Sequence, residues 1–225
     1  MNLGIRRKTN NLFLIFPLFF LFVDCEKTHK NRDGDYTKHD MKHVLEEYGI
    51  IPDALDVAPR YELKVRFGET EINFGNDIHP DQVSDESTIR INTTVDDAYH
   101  FLVMTDSPDK REYLHWMVFN IKGVTLFDGD SDVLTAYVPP GGNAHGPGLH
   151  RYMFYYIRTN ASGPTFDYLD WALPKKKPEH YLRTNFSMRR FSKKWGLVKP
   201  MAVNFFVINW EAEEYEAESE HQVHE

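Results

Sequence analysis

Phe101-Leu102-Val103-Met104 is apolar at every position, so neither face of the strand it forms can look at water. Such a strand belongs in the middle of a sandwich, with a covering layer on each side. It lies within Tyr99-His100-Phe101-Leu102-Val103-Met104-Thr105 and ends on the carboxylate of Asp106. Two further apolar runs follow, each opened by a histidine: Glu112-Tyr113-Leu114-His115-Trp116-Met117-Val118-Phe119-Asn120-Ile121, and Pro147-Gly148-Leu149-His150-Arg151-Tyr152 leading into Met153-Phe154-Tyr155-Tyr156-Ile157. Two histidines and a carboxylate therefore fall at strand ends, where a β scaffold can hold polar groups around a pocket.

The remaining signals from Tyr61 onward are mostly strands. Tyr61, Leu63, Val65 and Phe67 alternate with Glu62, Lys64 and Arg66, which predicts one strand with an inward apolar face. Glu71–Phe74, Thr88–Val95 and Ala202–Asn209 read as further strands, the last rich in buried aromatics. Met41, Val44, Leu45 and Tyr48 carry the spacing of a short amphipathic helix, stopped by Gly49 and Pro52. Phe186–Trp195 is a second helix with Met188, Phe191 and Trp195 as its core stripe.

The ends read differently. Arg6, Arg7 and Lys8 precede an uncharged apolar run of twelve residues, Leu12 to Val23, too short to span a bilayer and suited to a secretory leader. An uncleaved anchor and a mitochondrial presequence are the alternatives; a presequence would be amphipathic, and this run is apolar all round. The expected layout is a signal peptide over 1–25, a polar disordered segment over 26–40, one domain over 41–210 and an acidic tail over 211–225. Secretion places the mature chain outside the cell. The sequons at Asn92, Asn160 and Asn185 are candidate glycosylation sites on that route. Cys25 is the one cysteine, so the mature domain must fold without disulfides and is expected to be a monomer. Loss of Arg6, Arg7, Lys8 and Asp24, a net +2, takes the charge from −8 to −10 and argues against nucleic acid as a partner.

Asp106 closes one strand and His115 opens the next, so both can share one end of a sheet. For His150 to join them, its strand must run the same way as that of His115, and residues 122–149 are ample for the crossover. By simple alternation His115 shares a face with Met117, Phe119 and Ile121, and His150 with Tyr152, Phe154 and Tyr156. An imidazole beside a carboxylate favours its protonated form, which donates two hydrogen bonds and suits a phosphate-sized anion. A single histidine at a strand end is more often structural than a ligand; His29, His39, His43, His79, His100, His180, His221 and His224 are read that way, and His145 lies at the pocket rim. No nucleophile elbow, HExxH pair, Walker A loop or Rossmann glycine pattern is present, and the glycines of 141–148 are followed by no Lys-Ser/Thr pair. No enzyme, cofactor or bound metal is expected.

At Leu102-Val103-Met104-Thr105-Asp106-Ser107-Pro108-Asp109, Arg111-Glu112-Tyr113-Leu114-His115-Trp116 and Gly148-Leu149-His150-Arg151-Tyr152 the chain resembles the phosphatidylethanolamine-binding protein family, also known as Raf kinase inhibitor proteins. Ile78-His79-Pro80-Asp81-Gln82-Val83 and Phe191-Ser192-Lys193-Lys194-Trp195 extend the resemblance, which spans roughly Val44 to Trp210. It implies a mainly β fold, a sandwich of a large central sheet and a smaller sheet with a few peripheral helices. It also implies a small anion pocket for phosphate, phosphorylethanolamine or a similar headgroup, lined by Asp106, Tyr113, His115, Tyr137, Pro140, His150 and Tyr152. Tyr113 stands where the family commonly has Trp. The family's pocket-closing C-terminal tyrosine has no good counterpart, which implies a more open mouth. The leading expectation is a secreted, non-catalytic binding protein for a small anion or phospholipid headgroup. The alternative is a protein-interaction or regulatory role, such as a protease or kinase inhibitor; a mitochondrial ribosomal subunit is the third and least supported.

Overall fold

The computed structural model describes residues 37–85, 89–92, 98–107, 112–122, 131–141, 146–159, 183–184, 186–197 and 199–210. The leader, Asn160, Asn185, His145 and the acidic tail lie outside these residues. Helix α1 spans Lys38–Glu47, capped by Thr37, and so begins three residues before the expected domain start. After α2 (Ile50–Asp53) come β1 (Tyr61–Glu62), β2 (Lys64–Phe67), β3 (Thr70–Ile72), β4 (Asn76–Asp77) and β5 (Ile89–Asn92). Then follow β6 (His100–Asp106), β7 (Tyr113–Ile121), β8 (Asp132–Thr135), β9 (Gly148–Arg158), α3 (Met188–Trp195) and β10 (Ala202–Trp210). Among the described residues no helix is long and apolar enough to cross a membrane.

The large sheet has the order β1-β10-β9-β6-β7-β8, with β4 also on β10; β1 and β4 run parallel to β10 and the rest pair antiparallel. The small sheet is β3-β2-β5. The fold is thus mainly β with a large mixed sheet, a small sheet and a few helices, as the sequence predicts. Every residue of β6 is buried, which is why 101–104 had to be apolar throughout. One face of the large sheet packs Phe101, Val103 and Tyr155 under α1 and α3, joining Leu45, Met188 and Phe191. The other packs Leu102, Met104 and Phe154 under the small sheet, joining Val65, Phe67 and Ile72.

Two expectations need correction. The single strand over 61–67 is a corner: β1 pairs with β10 in the large sheet, and β2 pairs with β3 and β5 in the small one. The chain changes sheets at Leu63, whose N–H donates to the Val203 carbonyl at 2.8 Å. Tyr61 consequently lies at an edge, 38% exposed, instead of facing the core. Asn204 secures this corner from the middle of the apolar β10. Its Nδ2 donates to the Leu63 and Ile72 carbonyls at 2.7 and 2.9 Å, and its Oδ1 accepts from Phe74 N and Phe205 N at 2.9 and 2.8 Å. A buried amide that finds four partners costs little and stitches the sheets together.

The second correction concerns His115. Met104 pairs with Trp116 and Thr105 with Leu114, so His115 is an extra residue in β7, a β-bulge. Past it the alternation is offset: Met117 and Phe119 join the helix-covered core, while Trp116 and Val118 join the core under the small sheet. His115 therefore does not share its face with Met117 and Phe119. Strands β7 and β9 run the same way as expected, with β6 between them.

Candidate functional site

The candidate site lies at the end of the large sheet where β6 finishes and β7 and β9 begin. Asp106 pairs with Tyr113 on one side and Tyr152 on the other. This brings Asp106, Tyr113, His115, His150 and Tyr152 into one buried cluster, all at or near zero exposure. The His115 ring lies 4.8 Å from that of Tyr113 and 5.3 Å from that of Tyr152. The ring of His150 stacks at 6.3 Å on that same Tyr152. His115 follows Tyr113 to this side by ordinary alternation, and the bulge lets Trp116 join the core on the same side.

Each histidine has a defined set of partners. His150 Nδ1 donates to Asp106 Oδ2 at 2.7 Å, and its Nε2 donates to the Gly146 carbonyl at 2.7 Å. Two acceptors on the two ring nitrogens require both to carry protons, the imidazolium form. Burial pushes the His150 pKa down, but the hydrogen bond and charge of Asp106, helped by the Gly146 carbonyl, outweigh it and the net shift is upward. His115 Nδ1 donates to the Val138 carbonyl at 2.7 Å, and Val138 N donates back to the His115 carbonyl at 3.0 Å. Burial, offset in part by the Arg183 charge and reinforced by that of Asp106, pushes the Tyr113 phenol up to about 12, so it is a donor at any physiological pH.

The other predicted residues are less central. The Tyr152 hydroxyl accepts from Trp210 Nε1 at 3.0 Å. Tyr137 packs edge-on against Trp116 at 5.7 Å and donates its hydroxyl to the Val83 carbonyl, so it braces the wall. Pro140 is buried at the far end of the segment that carries Val138. Asn92 ends β5. Among the described residues no group of three His, Cys, Asp or Glu is placed to hold a metal.

Sequence reading missed two buried ionisable residues at this end of the sheet. Arg183 is fully buried and donates to the carbonyls of Leu114, His115 and Ala136. Glu112, read only as the polar start of an apolar run, is buried on the opposite face. Its Oε2 accepts Met188 N at 2.7 Å at the start of α3. Burial raises its pKa from 4.5 to about 7. The signal for Glu112 was available, since it is a lone acid next to a buried strand; nothing local marked Arg183.

No protein-family model matches the chain. It is similar to a Drosophila melanogaster protein named odorant-binding protein A5, at 24% identity over 205 residues covering 86% of this chain and 90% of that one. It is also similar to Protein FLOWERING LOCUS T of Arabidopsis thaliana, at 29% identity over 165 residues covering 70% of this chain and 85% of that one. The crystal structure of a phosphatidylethanolamine-binding protein from Plasmodium falciparum superposes with a TM-score of 0.59 at 24% identity, covering 74% of this chain and 96% of its own. The chain thus shares the fold of that phosphatidylethanolamine-binding protein over most of its described domain.

Proposed function

We propose that this chain is a secreted, non-catalytic protein that holds a small anionic group in the pocket of Asp106, Tyr113, His115, His150 and Tyr152, with Tyr137 and Pro140 as its walls. The ligand is a phosphate or a phosphorylated headgroup such as phosphorylethanolamine. The observation that carries this reading is the buried His150–Asp106 pair at 2.7 Å, set beside a second buried imidazole and two phenols. An imidazolium on an apolar, aromatic-lined floor with phenols around it is chemistry for an anion. To accept a donor bond from His150 Nε2, the anion takes the place of the Gly146 carbonyl. Secretion is supported by the basic-apolar leader over 1–25. The name of the Drosophila relative, odorant-binding protein A5, agrees with a binding role.

The test is calorimetric titration of inorganic phosphate and phosphorylethanolamine into wild type, His115→Ala and His150→Ala at pH 5.5 and 8. Each substitution should weaken binding about tenfold or more at pH 5.5, the worth of a charge-assisted hydrogen bond. Because the His150 pKa lies above its ordinary value, wild-type binding should persist past pH 6.5 and fall as pH rises through that raised value. Parental affinity in both variants means that the histidines are structural and the reading is wrong. Separate from this, terminal sequencing of protein from the medium of a secretory host should begin near Glu26.

A further inference from the structure

A buried guanidinium must be ringed by acceptors, and those of Arg183 come from two short segments. Nη1 donates to the Leu114 and His115 carbonyls at 3.0 and 2.9 Å, and Nη2 to the Ala136 carbonyl at 2.9 Å. The first two are carbonyls of the bulge, where the extra residue disrupts the ladder between β6 and β7. The third lies two residues before Val138, the residue that exchanges both backbone groups with His115, accepting from its Nδ1 and donating to its carbonyl. One rigid planar fork thus ties the strand that carries the His115 ring to the segment that fixes that ring's tautomer. A lysine could keep the charge but could not meet three carbonyls in that geometry. The same guanidinium acts on Tyr113, offsetting part of the rise that burial imposes on its phenol.

We propose that Arg183 is a positioning residue of the pocket: its guanidinium holds the bulge and the 136–138 segment together, so that His115 keeps its Nδ1 proton on the Val138 carbonyl and holds Nε2, which donates to an anion once it is protonated, in one pose for the ligand. The role deepens the anion-binding reading and rests on it for its purpose, although the geometry of His115 can be read without any ligand. The experiment uses full-length mature protein with nitrogen-labelled histidine, observed by NMR, together with titration of inorganic phosphate. In phosphate-free wild type, at a pH where the ring is neutral, His115 should show the Nδ1–H tautomer alone. In Arg183→Ala the ring should sample both tautomers, phosphate affinity should fall about tenfold, and added methylguanidinium should restore both. Arg183→Lys should behave like Arg183→Ala. A folded alanine or lysine variant that keeps the single tautomer and parental affinity overturns the proposal. If the alanine variant does not fold, the lysine variant and the wild-type spectrum decide, and a mixed His115 tautomer in wild type overturns it as well. A tautomer that responds to Arg183 in a protein that binds no phosphate sinks the anion reading and leaves the positioning role standing.

Discussion

The end of the large sheet carries two buried polar clusters, one on each face, built from neighbouring residues of the same strands. Asp106, Tyr113, His150 and Tyr152 group together on the side of the small sheet. Thr105, Glu112 and Tyr155, each adjacent in sequence to Asp106 or Tyr113 or lying further along β9, group on the side of the helices. Each cluster contains one buried carboxyl group, and the two end in different states. Asp106 meets an imidazole that can take a proton, and its hydrogen bond and charge raise the His150 pKa against the pull of burial. Glu112 meets the Met188 N–H, the Thr105 hydroxyl at 3.4 Å and Tyr155, none of them ionised, with Arg189 too exposed to compensate. Desolvation then dominates and its pKa climbs to about 7. Burial is the same on both faces; the protonation state follows from whether the neighbouring strand supplies a basic partner.

Asp106→Asn leaves His150 buried without its counter-charge, and at pH 5.5 the fold should lose about 3 kcal/mol or more, read by denaturant unfolding. The sign with pH follows from the raised His150 pKa: the stabilisation is complete below the ordinary value of 6.5 and disappears as pH rises through the folded value. The cost of the substitution should therefore shrink toward pH 8, and a cost that does not change with pH would contradict the ionic pairing.

Glu112→Gln should move stability the other way. Ionising a carboxyl whose folded pKa is about 7 against an ordinary 4.5 penalises the fold as pH rises through that window. The penalty reaches about 3 kcal/mol at pH 8 by linkage. The amide oxygen can still accept from Met188 N, so the variant should be more stable than wild type at pH 8 by up to that amount and about equal to it at pH 4.5. Matched unfolding curves at the two pH values check this.

Smaller effects sharpen the contrast. Trp210→Phe removes the indole donor to the Tyr152 hydroxyl, and should cost about 1–2 kcal/mol in thermal unfolding while leaving the Glu112 titration untouched. Thr105→Val removes the long hydroxyl contact to Glu112, at a cost of a few tenths of a kcal/mol, and should push the Glu112 titration further above about 7, seen by carboxyl NMR.

Most of the framework was readable because strands announce themselves locally. Buried β6 required an unbroken apolar run, and α3 carried its Met188–Phe191 stripe in its own spacing. The pairing of Asp106 with His150 was likewise within reach, because both stand at strand ends and the crossover between β7 and β9 is long enough to align them. The corner at Leu63 was not readable: 61–67 alternates without a break, and the change of sheet comes from pairing with β10, far along the chain.

By itself the sequence determined which segments become strands, which must be covered on both faces, and which ionisable groups lie at their ends. Tertiary structure alone decided the aim and the charge of those groups. The bulge at His115 is a matter of how β7 registers against β6, and a one-residue offset changes which core every later side chain meets. Arg183 finds its acceptors 47 to 69 residues away and Asn204 finds its own up to 141 residues away. Glu112 acquires a pKa of about 7 only once α3 and the sheet close over it. Local propensity depends on neighbours in sequence, whereas hydrogen-bond partners, register and dielectric depend on neighbours in space, and those exist only in the folded chain.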